Sequence, residues 1–200
     1  DYELILKEAL KYKEQFWIIK DSSIEKDSIK PAWNNGFLPG LDIIAIYAIL
    51  AKFKPSKYIE IGSGNSTKVA YKAKKELGLT TKIISIDPMP RAEIDSLADE
   101  VHRKPFENLD FDIVDLLEEN DILFVDNSHR ILPNSDSMVF YMEIKKKKKK
   151  GVIVHIHDIY LPYDYPQFMC DRAYSEQYGL AMYLLANPEK YKTIFPNYFV

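Results

Sequence analysis

The chain has 200 residues, 46% of them apolar and 28% charged, which is globular usage and excludes wholesale disorder. A formal net charge of −3 gives no general attraction to phosphate backbones or anionic lipid, so neither nucleic acid nor a membrane is an expected partner. The single cysteine, Cys170, forms no intramolecular disulfide and joins no Cys–His zinc cluster, which fits a reducing, cytoplasmic setting. Its expected place is as a small buried residue without a nucleophile's adjacent base. The longest apolar stretch, LDIIAIYAILAKF (41–53), is too short to span a bilayer, and no signal peptide is visible. Asp1 rather than Met opens the chain, so an earlier start is expected.

Residues 1–20 read as an amphipathic helix with Leu6, Leu10, Lys13 and Trp17 on one face, broadened by Ile18 and Ile19. DSSIEKDSIK (21–30) reads as a loop and PAWNNGFLPG (31–40) as a turn-rich approach. A buried helix over 41–53 follows. Thereafter short apolar runs alternate with amphipathic stretches: strand 57–61, helix 67–77 ended by Gly78, strand 82–86, helix 91–100, a weak strand 101–104, helix 111–120, strand 121–125. A helix over 135–145, a strand over 151–156, a helix over 170–187 and a last strand over 191–195 complete the pattern. Strands that are apolar throughout are strands covered on both faces. The alternation therefore predicts an α/β fold, a mostly parallel sheet with helices on both faces. Ligands in such sheets sit beyond the carboxyl ends of the strands, at the switch point.

The first strand runs into EIGSGNST (60–67). Gly62 and Gly64 permit a tight turn and close backbone approach, and Asn65, Ser66 or Thr67 can cap the next helix. The structural alternative is a strand-to-helix turn without a ligand. Asp87 ends the second strand, 25 residues after Gly62, where a carboxylate can accept both hydroxyls of a ribose, or merely cap a helix. Thr67 stands where a dinucleotide fingerprint has its third glycine, and Glu60 would repel a pyrophosphate. Both features favour a cationic ligand such as S-adenosylmethionine, with its ammonium and sulfonium, over NAD.

These segments, E-x-G-x-G-x-S followed by I-D-P, resemble the class I S-adenosylmethionine-dependent methyltransferases. DILFVDNSH (121–129) and GVIVHIHDIYLPYDYP (151–166) resemble its small-molecule and sugar O-methyltransferase-like branch, and the likeness covers about residues 31–195. Ser66 departs from the third glycine that many members carry. The resemblance implies a Rossmann-like, doubly wound fold, with an N-terminal helical extension and lid over 1–40 and a methyltransferase domain over 41–200. The family's sheet closes with an antiparallel hairpin, of which one late strand is evident, so a missing C-terminal piece is expected. Glu60, Gly62, Ser63, Gly64 and Asn65 would surround the methionine part of the cofactor, Asp87 the ribose, and Phe106 and Glu107 the adenine. Glu107 reads equally well as a solvated loop acid.

Asp126, at the end of the fourth strand, borders the cofactor and stands beside Asn127, Ser128 and His129. His157 and Asp158 end the fifth strand, and His155 reads as structural. Asp126, His129, His157 and Asp158 are the candidate catalytic residues. Two chemistries fit them: Asp126 and Asp158 could hold a hard cation such as Mg²⁺, or His129 or His157 could accept the acceptor's proton as a general base. His157 stands where metal-dependent relatives carry a further acid or amide.

YLPYDYPQF (160–168) reads as a stacking lid or as a loop packed on the first helices, and Trp17, Trp33 and Phe37 as a pocket wall or core. KKKKKK (145–150), where relatives have Leu and Pro, reads as a solvated turn, the alternative being a local contact with nucleic acid or a membrane. The expected reaction is O-methylation of a small molecule or sugar hydroxyl, and a homo-oligomer is compatible. An NAD-dependent oxidoreductase or epimerase, using Tyr71 and Lys75, and a non-catalytic cofactor-binding protein are the alternatives.

Overall fold

Four short, mostly apolar runs and one polar edge run assemble into one sheet, because the apolar runs can leave neither face to water. A computed structural model describes residues 2–90, 93–110, 112–144 and 149–200. The strands are β1 (Lys57–Ile61), β2 (Lys82–Ile86), β3 (Glu100–His102), β4 (Ile122–Val125) and β5 (Ile153–Ile156). All are parallel, in the order β3-β2-β1-β4-β5, the Rossmann-like arrangement. The direction of winding reverses between β1 and β4, so the switch point lies where those two strands end.

On one face lie α1 (Tyr2–Leu10), α2 (Lys13–Trp17), α3 (Gly40–Phe53) and α4 (Asn65–Glu76). Their apolar residues share one core with the side chains of Tyr58, Ile83, Ile122, Phe124 and Ile153. Nine of the fourteen residues of α3 are buried, as its sequence requires. The opposite face packs Ile59, Ile61, Ile84, Leu123 and Val125 against Phe106, Val114, Leu117 and Phe140. Here stand α5 (Asp112–Asp115), α6 (Asp136–Val139, continued by a π turn over Phe140–Ile144) and, through Leu180 and Tyr183, α8 (Glu176–Ala186), which follows the single turn α7 (Gln167–Cys170).

Several expectations need correction. The N-terminal helix breaks at Lys11–Tyr12, which shifts its phase. Ile5, Ala9, Phe16 and Ile19 are buried, whereas Leu10 and Trp17 are 70% and 85% exposed. Helix 91–100 is not formed among the described residues. A single 3₁₀ turn, Asp95–Leu97, precedes Glu100, which is drawn into β3 by pairing with Ile84. The helix over 111–120 shortens to α5, and helix 170–187 forms only over α8, after a separate turn α7 that ends at Cys170. Residues 191–195 form no strand; Ile194 and Phe195 instead pack against the first core. YLPYDYPQF does not lie on the first helices. Tyr165 joins Met169 and Tyr174 in a small separate cluster, with Tyr160 against it. Cys170 is exposed, not buried. Residues 91, 92 and 111, and Lys145–Lys148 of the lysine run, lie outside the described residues. Among the described residues no helix is long and apolar enough to cross a membrane.

Candidate active site

The turn after β1 is built around a glycine that nothing else can replace. Gly62 has φ +79°, and a Cβ there would stand 1.7 Å from the Asp126 carbonyl oxygen. Its amide donates to Ile86 O at 2.9 Å, and Asp126 N donates to Ile61 O at 2.8 Å, so β1, β2 and β4 end together. Gly64 differs: a Cβ there would meet nothing within 4 Å. Its backbone faces a cavity of about 480 Å³ bordered by Ser63, Gly64, Asn65 and Asp126 on the sheet side and by Ser28, Asn35 and Phe37 of the N-terminal segment. Asn35 braces that segment by accepting from the Phe37 and Leu38 amides, and its Oδ1 also accepts from Asn65 Nδ2 at 2.9 Å.

Glu60 does not meet this cavity, which corrects the expectation of a carboxylate facing the ligand. Strand alternation puts it on the same face as Tyr58, into the helix layer. It is fully buried and accepts from the Tyr58 hydroxyl at 3.2 Å and, through a very short contact, from Thr67 Oγ1. Thr67 Oγ1 in turn accepts from Gly64 N at 3.0 Å. Glu60 thus holds the start of α4 from behind. Burial, against the pull of hydrogen bonds from Ser66, Thr67 and Tyr58, pushes its carboxyl up to about 7.

Asp87 also serves the turn, accepting from Ser63 N and Met89 N at 2.8 Å each. Ser63 Oγ and Ser85 Oγ share a hydrogen bond of 2.7 Å. Phe106 is only 3% exposed and belongs to the core under the sheet, so the expected adenine contact is not the one its ring makes. Glu107 is exposed in the loop after β3.

The four candidate catalytic residues do come together. His129 Nε2 lies 3.2 Å from Asp126 and 3.5 Å from Asp158, and His157 Nδ1 lies 3.3 Å from Asp126 and 3.5 Å from Asp158. Asp158 follows the end of β5 and adopts φ +53°, which turns it back to the side of His157 despite their adjacency. His129 has φ +59°, with its amide held by Asn127 Oδ1 at 3.0 Å.

Two members of the site escaped the sequence reading. Glu176, the first residue of α8 and fully buried, meets His129 Nδ1 at 3.0 Å. The Ser175 and Glu176 amides both donate to the His129 carbonyl. Gln177 beside them accepts from Tyr160 N at 2.9 Å, so the start of α8 fastens the loops after both β4 and β5. Asp42, at the start of α3, stands 3.8 Å from His157 Nε2. An acid–amide pair opening a helix was the available signal for the first; nothing local marked the second.

Burial alone would strip the imidazoles of their proton, but the surrounding carboxylates outweigh it. Asp126 and Glu176 raise His129 to about 9, and Asp126 and Asp42 raise His157 well above its usual value. Against its own burial, Asp126 is held by these two histidines well below the usual carboxylate range. His155, partly buried beside Phe124 at a ring distance of 4.7 Å, is instead lowered to about 4, chiefly by desolvation. The imidazoles of His129 and His157 are thus both shifted toward their charged form.

A parallel 3-2-1-4-5 sheet, a glycine turn after β1 and an acid at the tip of β2 are the frame of a class I methyltransferase. Residues 59–159 match the family model of a methyltransferase domain. The chain belongs to this methyltransferase family. No curated protein matches it. The match runs from the second residue of β1 through Asp158, so the methyltransferase domain contains the glycine turn and four of the clustered side chains, while Asp42 and Glu176 come from flanking segments. The Tyr71–Lys75 pair that an oxidoreductase would use lies on α4, with Lys75 Nζ 5.4 Å from the Tyr71 ring, and does not border the cavity.

Proposed function

We propose that this methyltransferase carries the methyl group of S-adenosylmethionine to a hydroxyl of a small-molecule or sugar acceptor. The observation that carries the reading is that the open Gly64 backbone and the Asp126–His129–His157–Asp158 cluster meet at one cavity edge, through Asp126. Ser63, Gly64 and Asn65 would receive the methionine part. Asp87 would accept from the ribose hydroxyls, since each of its oxygens takes only one backbone hydrogen bond and keeps a further lone pair. Glu60 supports this by fixing the helix start rather than by touching the ammonium. Glu107, exposed beside the turn of β3, remains the candidate for the adenine edge.

In the reaction the acceptor oxygen attacks the methyl carbon, the carbon–sulfur bond breaks with its electrons left on sulfur, and S-adenosylhomocysteine departs. The hydroxyl proton must leave as the oxygen attacks. Asp158 would accept it, while Asp126, held well below the usual carboxylate range by His129 and His157, anchors the cluster. Alignment of oxygen, methyl and sulfur does most of the remaining chemistry. A Mg²⁺ ion fits this donor set poorly, because an imidazole nitrogen stands between the two carboxylates and Mg²⁺ prefers oxygen and water.

The test is methyl transfer from labelled S-adenosylmethionine to a panel of phenols, catechols, sugars and hydroxy acids. Product whose formation is lost in Asp158→Asn supports the reading. Tight binding of S-adenosylhomocysteine with no transfer to any acceptor would reassign the chain to cofactor binding without catalysis.

A further inference from the structure

The lysines that border the cavity are not alike. Lys26 and Lys30 are exposed, and Lys30 Nζ stands 3.3 Å from Asp27 Oδ2. Lys68, the fourth residue of α4, is half-buried, and no ion pair among the described residues includes its Nζ. The two acids whose charge reaches it, Asp27 and Glu93, are engaged elsewhere. Asp27 accepts from Ile29 N at 3.2 Å and faces Lys30, and Glu93 accepts from Ser28 Oγ at 3.3 Å. Burial holds the Lys68 ammonium below its ordinary value, against the pull of those acids. A cation partly withdrawn from water without a close counter-charge is unfavourable, so an anion that reaches it is bound with a gain.

Ser63, Gly64, Asn65, Ser66 and Lys68 form one wall of this cavity, and side chains from the segment 22–38 face them across it. That segment is fastened over the wall by Asn65 Nδ2 donating to Asn35 Oδ1 at 2.9 Å, and to the chain after β2 by Ser28 and Glu93. The wall is where the proposed function puts the amino-acid end of S-adenosylmethionine. That end carries a carboxylate as well as an ammonium, and the carboxylate needs a donor. We propose that Lys68 is that donor, holding the cofactor's carboxylate by a charge-assisted hydrogen bond under the cover of the segment 22–38. Lys26 and Lys30, in open water, gain little from the same contact. Cover by the segment lowers the water content around Lys68 and strengthens the pair. The site therefore joins the helix after the glycine turn to a flanking segment that lies outside residues 59–159. The inference rests on the proposed cofactor, but its test separates the carboxylate from the rest of that molecule, so the two failures are distinguishable.

Calorimetry with a matched set of probes tests it. S-adenosylhomocysteine keeps the carboxylate, S-adenosyl-3-thiopropylamine is the same molecule without it, and 5′-methylthioadenosine lacks the amino-acid end altogether. Lys68→Met, first shown to melt as the wild type does, should lose about 10- to 100-fold in affinity for S-adenosylhomocysteine. Its affinity for the other two should stay that of the wild type. Lys68→Arg keeps the charge and should recover most of the loss. The wild type should itself prefer S-adenosylhomocysteine to the thiopropylamine by a similar factor. Should Lys68→Met not fold, Lys68→Gln and this wild-type preference carry the test. Unchanged affinity of the variant for S-adenosylhomocysteine, an equal loss for every probe, or a wild type indifferent to the carboxylate would each overturn the assignment and leave the cofactor in place. A wild type that binds none of the probes would overturn both.

Discussion

Glu60→Gln isolates what a buried acid does behind the glycine turn. In the fold the Glu60 carboxyl titrates at about 7, against an unperturbed value of 4.5, chiefly because no water reaches it. The protonated acid offers one donor and one acceptor to Tyr58 and Thr67, and glutamine offers the same pair. The sign follows from the raised value. Below about pH 4.5 both folded and unfolded chains hold the proton, and the acid has no pH-dependent cost. Between 4.5 and 7 the unfolded chain releases its proton first, so stability falls as pH rises. Above the folded value the loss levels off at about 3 kcal/mol, from about 1.4 kcal/mol per unit over the shift. Denaturant unfolding of wild type and Glu60→Gln from pH 5 to 8.5 measures it. The variant should gain on the wild type by about 2.5 kcal/mol across that range, mostly between pH 5 and 7.5. A wild-type minus variant difference that does not change with pH would refute the reasoning.

The two glycines of the turn should separate cleanly. Gly62→Ala drives a Cβ into the Asp126 carbonyl at an unfavourable φ and should cost roughly 3 kcal/mol or more, read as a lower thermal midpoint or insoluble protein. Gly64→Ala meets no protein atom, so its melting should match the wild type while S-adenosylhomocysteine affinity falls in calorimetry. Of two neighbouring aromatics, Phe16→Ala should cost about 3–5 kcal/mol, because Phe16 packs edge-on against Tyr47 at 5.2 Å. Trp17→Ser, at an 85% exposed position, should stay within about 0.5 kcal/mol in denaturant unfolding.

What the sequence disclosed follows from which interactions are local. β1 and β2 were legible to the residue because each is a short run, opened by Lys57 or Lys82 and apolar except for Glu60 or Ser85, with no other way to hide from water. Ile94 and Leu97 gave RAEIDSLADE a helical period, yet pairing to β2 claimed Glu100, and tertiary contact overrode propensity. The N-terminal face was misread for a similar reason: one break at Lys11–Tyr12 rotates everything after it. At the site, Asp126, His129, His157 and Asp158 were found because strand ends converge in a parallel sheet. Period-2 alternation did contain the fact that Glu60 shares a face with Tyr58, but a charge beside a glycine turn drew the reading toward a ligand instead. Glu176 reaches His129 across 47 residues, and no local pattern announces such a contact.

The account stands or falls on whether the turn after β1 and the acid at the tip of β2 hold S-adenosylmethionine. Isothermal calorimetry of the wild type and of Asp87→Asn, each first shown to melt normally, measures this directly. One equivalent of S-adenosylmethionine should bind the wild type, with NADH giving no heat, and affinity should fall at least tenfold in the variant. NADH binding in place of S-adenosylmethionine, or an affinity that Asp87→Asn leaves unchanged, would contradict it.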